Sequence, residues 1–393
     1  MRTVLTAARL LSPDEIVEHP VVVLEEGVID SIGSRGSAPL PAGRHVDWPD
    51  ATLIPALFDV HIHGCGGHDV MEATESSLNA IGAFLARHGV GAYCATTVTA
   101  PLDTLLRSLS GLAKLLNAPL EGARPVGIHL EGPFLSPHKR GAHAESQLLA
   151  PSVALFDRLW QASEGRICVM TIAPELPGAE ETIAHAARRG VHVSLGHSDA
   201  DTEAARRGVR AGAVTATHTY NAMRRFDHRD PGLLGEVLTN DQLFAEIICD
   251  GLHVDPVAVR LFWKAKGRDR AMLVTDAMAG TGMPDGTYWL GELEVRVENG
   301  RCLIGENTLA GSTLTLDRGV RNFAEFTGAS LAETVALATL NPARMTGLDG
   351  AIGRLAPGRS ADIAVLSPQN EILETFLRGE GLAVQTGGVS FNG

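Results

Sequence analysis

The chain has 393 residues, of which 45% are hydrophobic and 20% charged, enough for a large buried core and more than one domain. Net charge is −13 with a pI near 5.6 and no Lys- or Arg-rich run occurs, which argues against nucleic acid as a partner. No apolar run approaches the ~20 residues that span a bilayer, no signal-peptide pattern opens the chain, and the five cysteines are scattered without a C-x-x-C, which together predict a cytoplasmic protein with no membrane partner.

The first fifty residues read as short strands, Thr3–Ala7, Val21–Glu25, Val28–Ile32 and Arg44–Trp48, punctuated by Pro and Gly as in PLPAG. From Leu53 the texture changes: short apolar runs alternate with segments of helical spacing such as SSLNAIGAFLARHG and GAEETIAHAARRG. Eight such runs occur: LFDVHIHG, GAYCATTVT, PVGIHLEGP, ICVMTIAPE, VHVSLGHSD, AVTATHTYN, LFAEIICDG and AMLVTDAM. Continuous β-rich runs between helices imply parallel strands buried on both faces, and eight of them imply a (β/α)8 barrel.

After the eighth run, residues 286–306 predict a β-hairpin insertion with its turn at Asn299-Gly300. A helical segment follows over roughly Leu316–Met345, and the tail returns to strand-like text in IGRLAPGRSADIAVLSP and ILETFLRGE. The two ends share a texture. The expected architecture is α/β: a TIM-like (β/α)8 barrel over 53–345, inserted into one small β domain formed from both termini, 1–52 and 346–393.

Metal-capable side chains recur at the C-terminal end of the apolar runs. His61 and His63 close the first, Glu131 the third, His197 the fifth, His218 the sixth and Asp276 the eighth. Barrel active sites sit on that face, so six side chains from five strands converge on one spot. A single histidine among the 15 in this chain carries little weight; their shared position along successive strands carries the inference. His61 and His63, at i and i+2 of one strand, face the same side. Imidazole and carboxylate suit Zn2+ or Fe2+, with an open position left for water.

Taken together, LIPALFDVHIHG, the spaced GHS, THTYNA and TDA segments, and IGRLAPGRSADIAVL resemble the amidohydrolase superfamily. HLEGPFLSPHKRGAH, LGHSDA, THTYNAM, HRDPGLLG, DGLHV, TDAM and LAGSTLTLD narrow the resemblance to the N-acetylglucosamine-6-phosphate deacetylase family, in the same order through nearly the whole chain. The resemblance implies the barrel already read from the pattern and a small β-sandwich for the β domain of the two termini. It also implies principal metal ligands Glu131, His197 and His218, with one or two metals per subunit depending on whether His61 and His63 hold a second. Some amidohydrolases bridge two metals with a modified lysine on strand four. Here that strand ends in MTIAPE, and none of the four lysines (Lys114, Lys139, Lys264, Lys266) falls at a strand end, which leaves Glu131 as the available carboxylate. Cys65, close to this face, reads as packing.

The expected chemistry is hydrolysis of an acetamide, with Asp276 taking a proton from the attacking water and returning it to the departing amine. A phosphorylated substrate needs fixed donors in an acidic protein, and Arg229 is the foremost candidate because a guanidinium grips phosphate bidentately. The resemblance places Arg229 in the HRDPG loop, puts the backbones of Asn221 and Ala222 on the phosphate, and implies a homodimer in which Arg229 reaches the neighbouring active site. His143 and His253 match sugar-contacting histidines, and Leu309, Ala310 and Gly311 a substrate-covering loop. Ala142 stands where some members carry a hydroxyl residue, so only its backbone is expected to make contact; Pro55-Ala56 replaces the usual Pro-Gly. The partner is thus a small amino-sugar phosphate. A galactosamine epimer, another amidohydrolase substrate such as a cyclic imide or N-acyl amino acid, and a non-catalytic scaffold are the competing readings.

Overall fold

The structure, a computed structural model, describes residues 2–36 and 39–383. Residues 384–393, the last part of the expected C-terminal β segment, lie outside the described residues.

All eight apolar runs form parallel strands: Leu57–Ile62, Val90–Thr96, Arg124–Glu131, Ile167–Ile172, His192–Leu195, Ala213–Ala216, Phe244–Ile248 and Ala271–Val274. They pair in chain order, each with the next. The ends of that sheet meet at the top, where Ile62 bridges Ala277, the Asp276 N–H donates to the His61 carbonyl at 2.9 Å, and the His63 N–H donates to the Ala277 carbonyl at 2.9 Å. Closure therefore falls among residues expected to do chemistry.

Two apolar clusters hold the barrel. One lies between strands and surrounding helices and includes Ile62, Leu78, Ile81, Leu109, Phe156, Ile183, Leu195, Leu233 and Phe262. The other, with Phe58, Val60, Cys94, Val169, Ile248, Met272 and Val274, joins strands from opposite sides and so fills the interior. Above it runs a hydrogen-bonded polar layer: His129 to Thr171 at 2.8 Å, Thr171 to Thr217 at 2.8 Å, and Ser194 to Thr217 at 2.6 Å. Buried polar groups linked in this way retain partners without water.

The termini form one continuous mixed sheet of eight strands. Its pivot is Arg44–Pro55, parallel to Thr3–Ser12 on one side and antiparallel to Ile363–Leu366 on the other. Leu5, Val22, Leu53, Ile363, Val365 and Phe376 form its core. Pro55 then leads almost directly into the first barrel strand, so the sheet extends three residues past the expected boundary at 52. The short segment Glu15–Glu18 is also a strand, mostly exposed and paired with Arg9–Ser12, and its EIVE text has no hydrophobic alternation to reveal it.

Residues 286–309 exceed a hairpin. They form a four-stranded antiparallel sheet, Gly286–Leu290, Leu293–Glu298, Arg301–Ile304 and Thr308–Leu309. Its central turn is at Asn299-Gly300, both with positive φ (50° and 75°), as a two-residue hairpin turn requires. The helical segment after it breaks into Leu316–Thr327, Leu331–Leu337 and Leu340–Met345. Gly328, at φ 75°, ends the first, and the Ser330 side chain caps the second through a capping box with Glu333.

Candidate active site

His61, His63, Glu131, His197, His218 and Asp276 are all buried and face one another at the C-terminal end of the barrel. Glu131 is the hub. Its Oε1 lies 3.5 Å from His61 Nε2, 3.4 Å from His197 Nε2 and 3.4 Å from His218 Nε2; its Oε2 lies 3.2 Å from His63 Nε2 and 3.5 Å from His143 Nε2. Asp276 Oδ1 lies 3.2 Å from His63 Nε2 and 3.5 Å from His61 Nε2. His197, His218 and Asp276 have positive φ, at 47°, 25° and 50°. For non-glycine residues this conformation is costly, and it turns each side chain off the strand end into the shared space.

The Nδ1 atoms of five of the histidines are anchored, whereas His218 Nδ1 is buried without a partner. His61 Nδ1 is 3.0 Å from Glu246, His63 Nδ1 3.1 Å from the Thr96 carbonyl, and His197 Nδ1 2.9 Å from the Lys139 carbonyl. His143 Nδ1 bonds Thr99 Oγ1 at 2.6 Å, and His253 Nδ1 bonds Asp250 at 2.6 Å. The Nε2 atoms are thereby aimed inward, the arrangement by which ligating histidines are oriented from behind.

These atoms fit a cation. Glu131 Oε1 and His61 Nε2 are buried without a hydrogen-bond partner, although each sits within 3.5 Å of potential ligand atoms. Burial opposes a charge on His61, yet the Glu131, Glu246 and Asp276 carboxylates outweigh it and hold the imidazole well above its ordinary range. The same field raises His63 to about 9. His197 is lowered to about 4, first by burial and then by the neighbouring His143 and His218, so it presents a neutral imidazole with a free lone pair. Burial works against ionisation of Asp276, but its hydrogen bond from His63 and the surrounding histidines hold it at about 2. Two groups have ligand atoms mutually close enough to hold an ion: Glu131 with His143 and His197, and His61 with His63 and Asp276. A third, His61 with His129 and Glu246, lies deeper, where both His129 nitrogens already have partners.

A cavity opens onto this cluster. It is lined by His63, Glu131, His143, His197, His218, Asp276, and further out by Ala142, Asn221, Ala222, His253, Leu290, Leu309 and Gly311. Most residues expected at the substrate are therefore brought together. Ala310 is not: it follows the strand Thr308–Leu309, and its side chain packs into the core of the four-stranded insertion while Leu309 and Gly311 line the cavity. Arg229 is exposed on the loop after strand six and does not line this chain's own cavity. On the same loop, Arg224 is engaged by Asp230 at 2.6 Å and Asp199 at 3.4 Å.

Sequence reading missed Glu246, Asp59, Asp250 and Leu290. Glu246 is the one acid inside the strand Phe244–Ile248, the one signal that pointed to it. Asp59, raised to about 7 by burial, bonds Thr275 Oγ1 at 2.6 Å and the His61 N–H at 3.2 Å, tying strand one to strand eight. Cys65 is fully buried in the core, as packing predicts. Among the described residues, no helix is long and apolar enough to cross a membrane.

The Amidohydrolase family matches residues 52–382 of the chain. An N-acetylgalactosamine-6-phosphate deacetylase of Escherichia coli O157:H7 is 38% identical over 97% of this chain and 99% of that protein. An N-acetylglucosamine-6-phosphate deacetylase of Vibrio furnissii is 37% identical over 95% of this chain and 93% of its own. Among solved structures, N-acetyl-D-glucosamine-6-phosphate deacetylase from Mycobacterium smegmatis superposes with a TM-score of 0.91 at 35% identity, covering 97% of this chain and 100% of that one. A mutant of the same mycobacterial enzyme, in complex with N-acetyl-D-glucosamine-6-phosphate, also superposes at 0.91.

Proposed function

The chain belongs to the amidohydrolase family, and from that premise we propose that it hydrolyses the acetamide of N-acetyl-D-glucosamine 6-phosphate to D-glucosamine 6-phosphate and acetate. The observation that carries this reading is the convergence of Glu131, His197, His218, His61, His63 and Asp276 at one end of a cavity lined further out by Asn221 and Ala222.

Glu131, His197 and His218 would hold Zn2+ or Fe2+, with His61 and His63 available to a second ion, and the bound metal would supply the Lewis acidity that polarises the amide carbonyl and acidifies water. Asp276, ionised at neutral pH, accepts a proton from the attacking water as the new C–O bond forms. It returns that proton to the amide nitrogen as the C–N bond breaks, so acetate and the free amine leave. His143, fixed by Thr99, and His253, fixed by Asp250, present ring nitrogens to sugar hydroxyls. The backbones of Asn221 and Ala222 take the phosphate, and Arg229 completes that end from the second subunit of a homodimer. Arg229's exposure outside its own cavity is what supports a role in trans.

The reading divides the chain into a catalytic barrel, 53–345, and a small β unit from 1–52 and 346–393. The scattered free cysteines accord with a cytoplasmic setting. The galactosamine epimer is the second reading, favoured by the Escherichia coli relative. The test is acetate release from N-acetylglucosamine 6-phosphate, its galactosamine epimer and unphosphorylated N-acetylglucosamine, before and after chelation. Phosphate-dependent turnover lost to chelator and restored by metal supports the proposal. Metal-loaded protein that turns over none of the three sugars overturns it.

A further inference from the structure

The cavity has an apolar corner with no part yet in the reaction. Leu290 ends the first strand of the insertion and is 3% exposed, yet it lines the same cavity as Asp276 and His63. Behind it stand Val98 and Met278. Val98 is two residues past Thr96, whose carbonyl holds His63 Nδ1, and Met278 is two residues past Asp276.

Leu290 is fixed there by its neighbours. The Gly291 N–H donates to Asp69 Oδ2 at 2.8 Å, and Asp69 Oδ1 accepts the Met71 N–H at 2.7 Å. The Val70 N–H donates to the His63 carbonyl at 2.8 Å, so the segment gripping Gly291 is itself bonded to His63. Gly291 has φ 57°, and a Cβ there would lie 2.4 Å from Val98 Cγ1. Only glycine permits that approach.

Position around the barrel gives this corner its meaning. Leu290 is anchored to segments after strands one and two, whereas Asn221 and Ala222 follow strand six. In a ring of eight strands, two and six are opposite. A substrate with its phosphate at Asn221–Ala222 and its carbonyl over Glu131 and Asp276 directs its acyl chain toward the far wall, where the lining is Leu290. We propose that Leu290 closes the acyl subsite and sets the length of the acyl group removed, restricting the enzyme to acetyl. This inference rests on the deacetylase reading above.

The test compares wild type, Leu290→Ala and Leu290→Phe on N-acetyl-, N-propionyl- and N-butyryl-glucosamine 6-phosphate. One methylene against a fitted apolar wall discriminates by about 10- to 200-fold. Expected is a steep fall of kcat/KM with acyl length in wild type, flattened by about tenfold or more in Leu290→Ala and steepened in Leu290→Phe. Ratios between substrates on one sample are independent of the folded fraction, so a destabilised variant still reports. An active wild type whose acyl ratios are unchanged, within about twofold, in both variants overturns the inference alone. A wild type inactive on all three sugars overturns the deacetylase reading and the inference with it.

Discussion

His61 and Glu246 are joined deep in the barrel: Glu246 Oε2 lies 3.0 Å from His61 Nδ1, and the same oxygen accepts the His218 N–H at 3.2 Å. One buried carboxylate thus orients a histidine of strand one and pins the strained backbone of a histidine of strand six. Support of this kind is worth about 10- to 100-fold in metal affinity. Glu246→Ala is expected to weaken metal binding by that order, measured by competition with a chromophoric chelator. Glu246→Gln retains an acceptor oxygen and should fall between Ala and wild type. Wild-type affinity in Glu246→Ala would show that His61 and His218 are held in place without it.

Asp276→Asn removes the proton carrier but keeps the side chain's shape. Turnover should drop by about 10^2- to 10^4-fold, the usual contribution of a placed acid/base. Metal content measured on the same sample should stay close to wild type. Turnover near normal removes Asp276 from the proposed role.

Arg229→Ala is expected to raise KM for the phosphorylated sugar and leave weak activity on N-acetylglucosamine little changed. If Arg229 acts across a dimer, mixing unfolded Arg229→Ala and Asp276→Asn chains and refolding them together rebuilds one intact site per heterodimer. Activity should then recover toward about a quarter of wild type. No recovery from a mixture that does form heterodimers places Arg229 in its own subunit's site or in neither.

Asp317, at the start of the helix Leu316–Thr327, gives a prediction on stability. Burial opposes its charge, but His88 at 3.2 Å and Arg321 at 2.9 Å outweigh that and hold it at about 2. An unfolded Asp titrates near 3.9, so the lowered value corresponds to roughly 2 to 3 kcal/mol. Because the folded pKa is the lower one, this stability is present above pH ~4 and is lost as pH falls toward 2. Thermal melts of Asp317→Asn against wild type should therefore differ most at neutral pH and converge between pH 4 and 2. A difference that persists unchanged to pH 2 points to packing.

The histidines and carboxylates at strand ends were legible because a barrel strand ends where its apolar run ends, and the polar residues there had no other reason to recur. Glu246 and Asp59 were not legible in this way. Each sits inside an apolar run, and a lone acid there has meaning only once a partner from another strand is known. For Asp59 that partner is Thr275, 216 residues away. Leu290 was hidden for the opposite reason: an apolar residue in a strand is the commonest thing a strand contains.

What the sequence determined by itself is what local periodicity encodes: eight strands, the helices between them, the turn at Asn299-Gly300, and the face on which chemistry collects. What only the tertiary structure decided is which long-range partners share a space. The closing of strand eight on strand one sets Asp276 against His63, the curling of the insertion carries Leu290 to the cavity and turns Ala310 away, and Arg229 is left outside its own site. Periodicity fixes which way a side chain points from its own strand; the distance between two side chains remote in sequence depends on how the strands are packed.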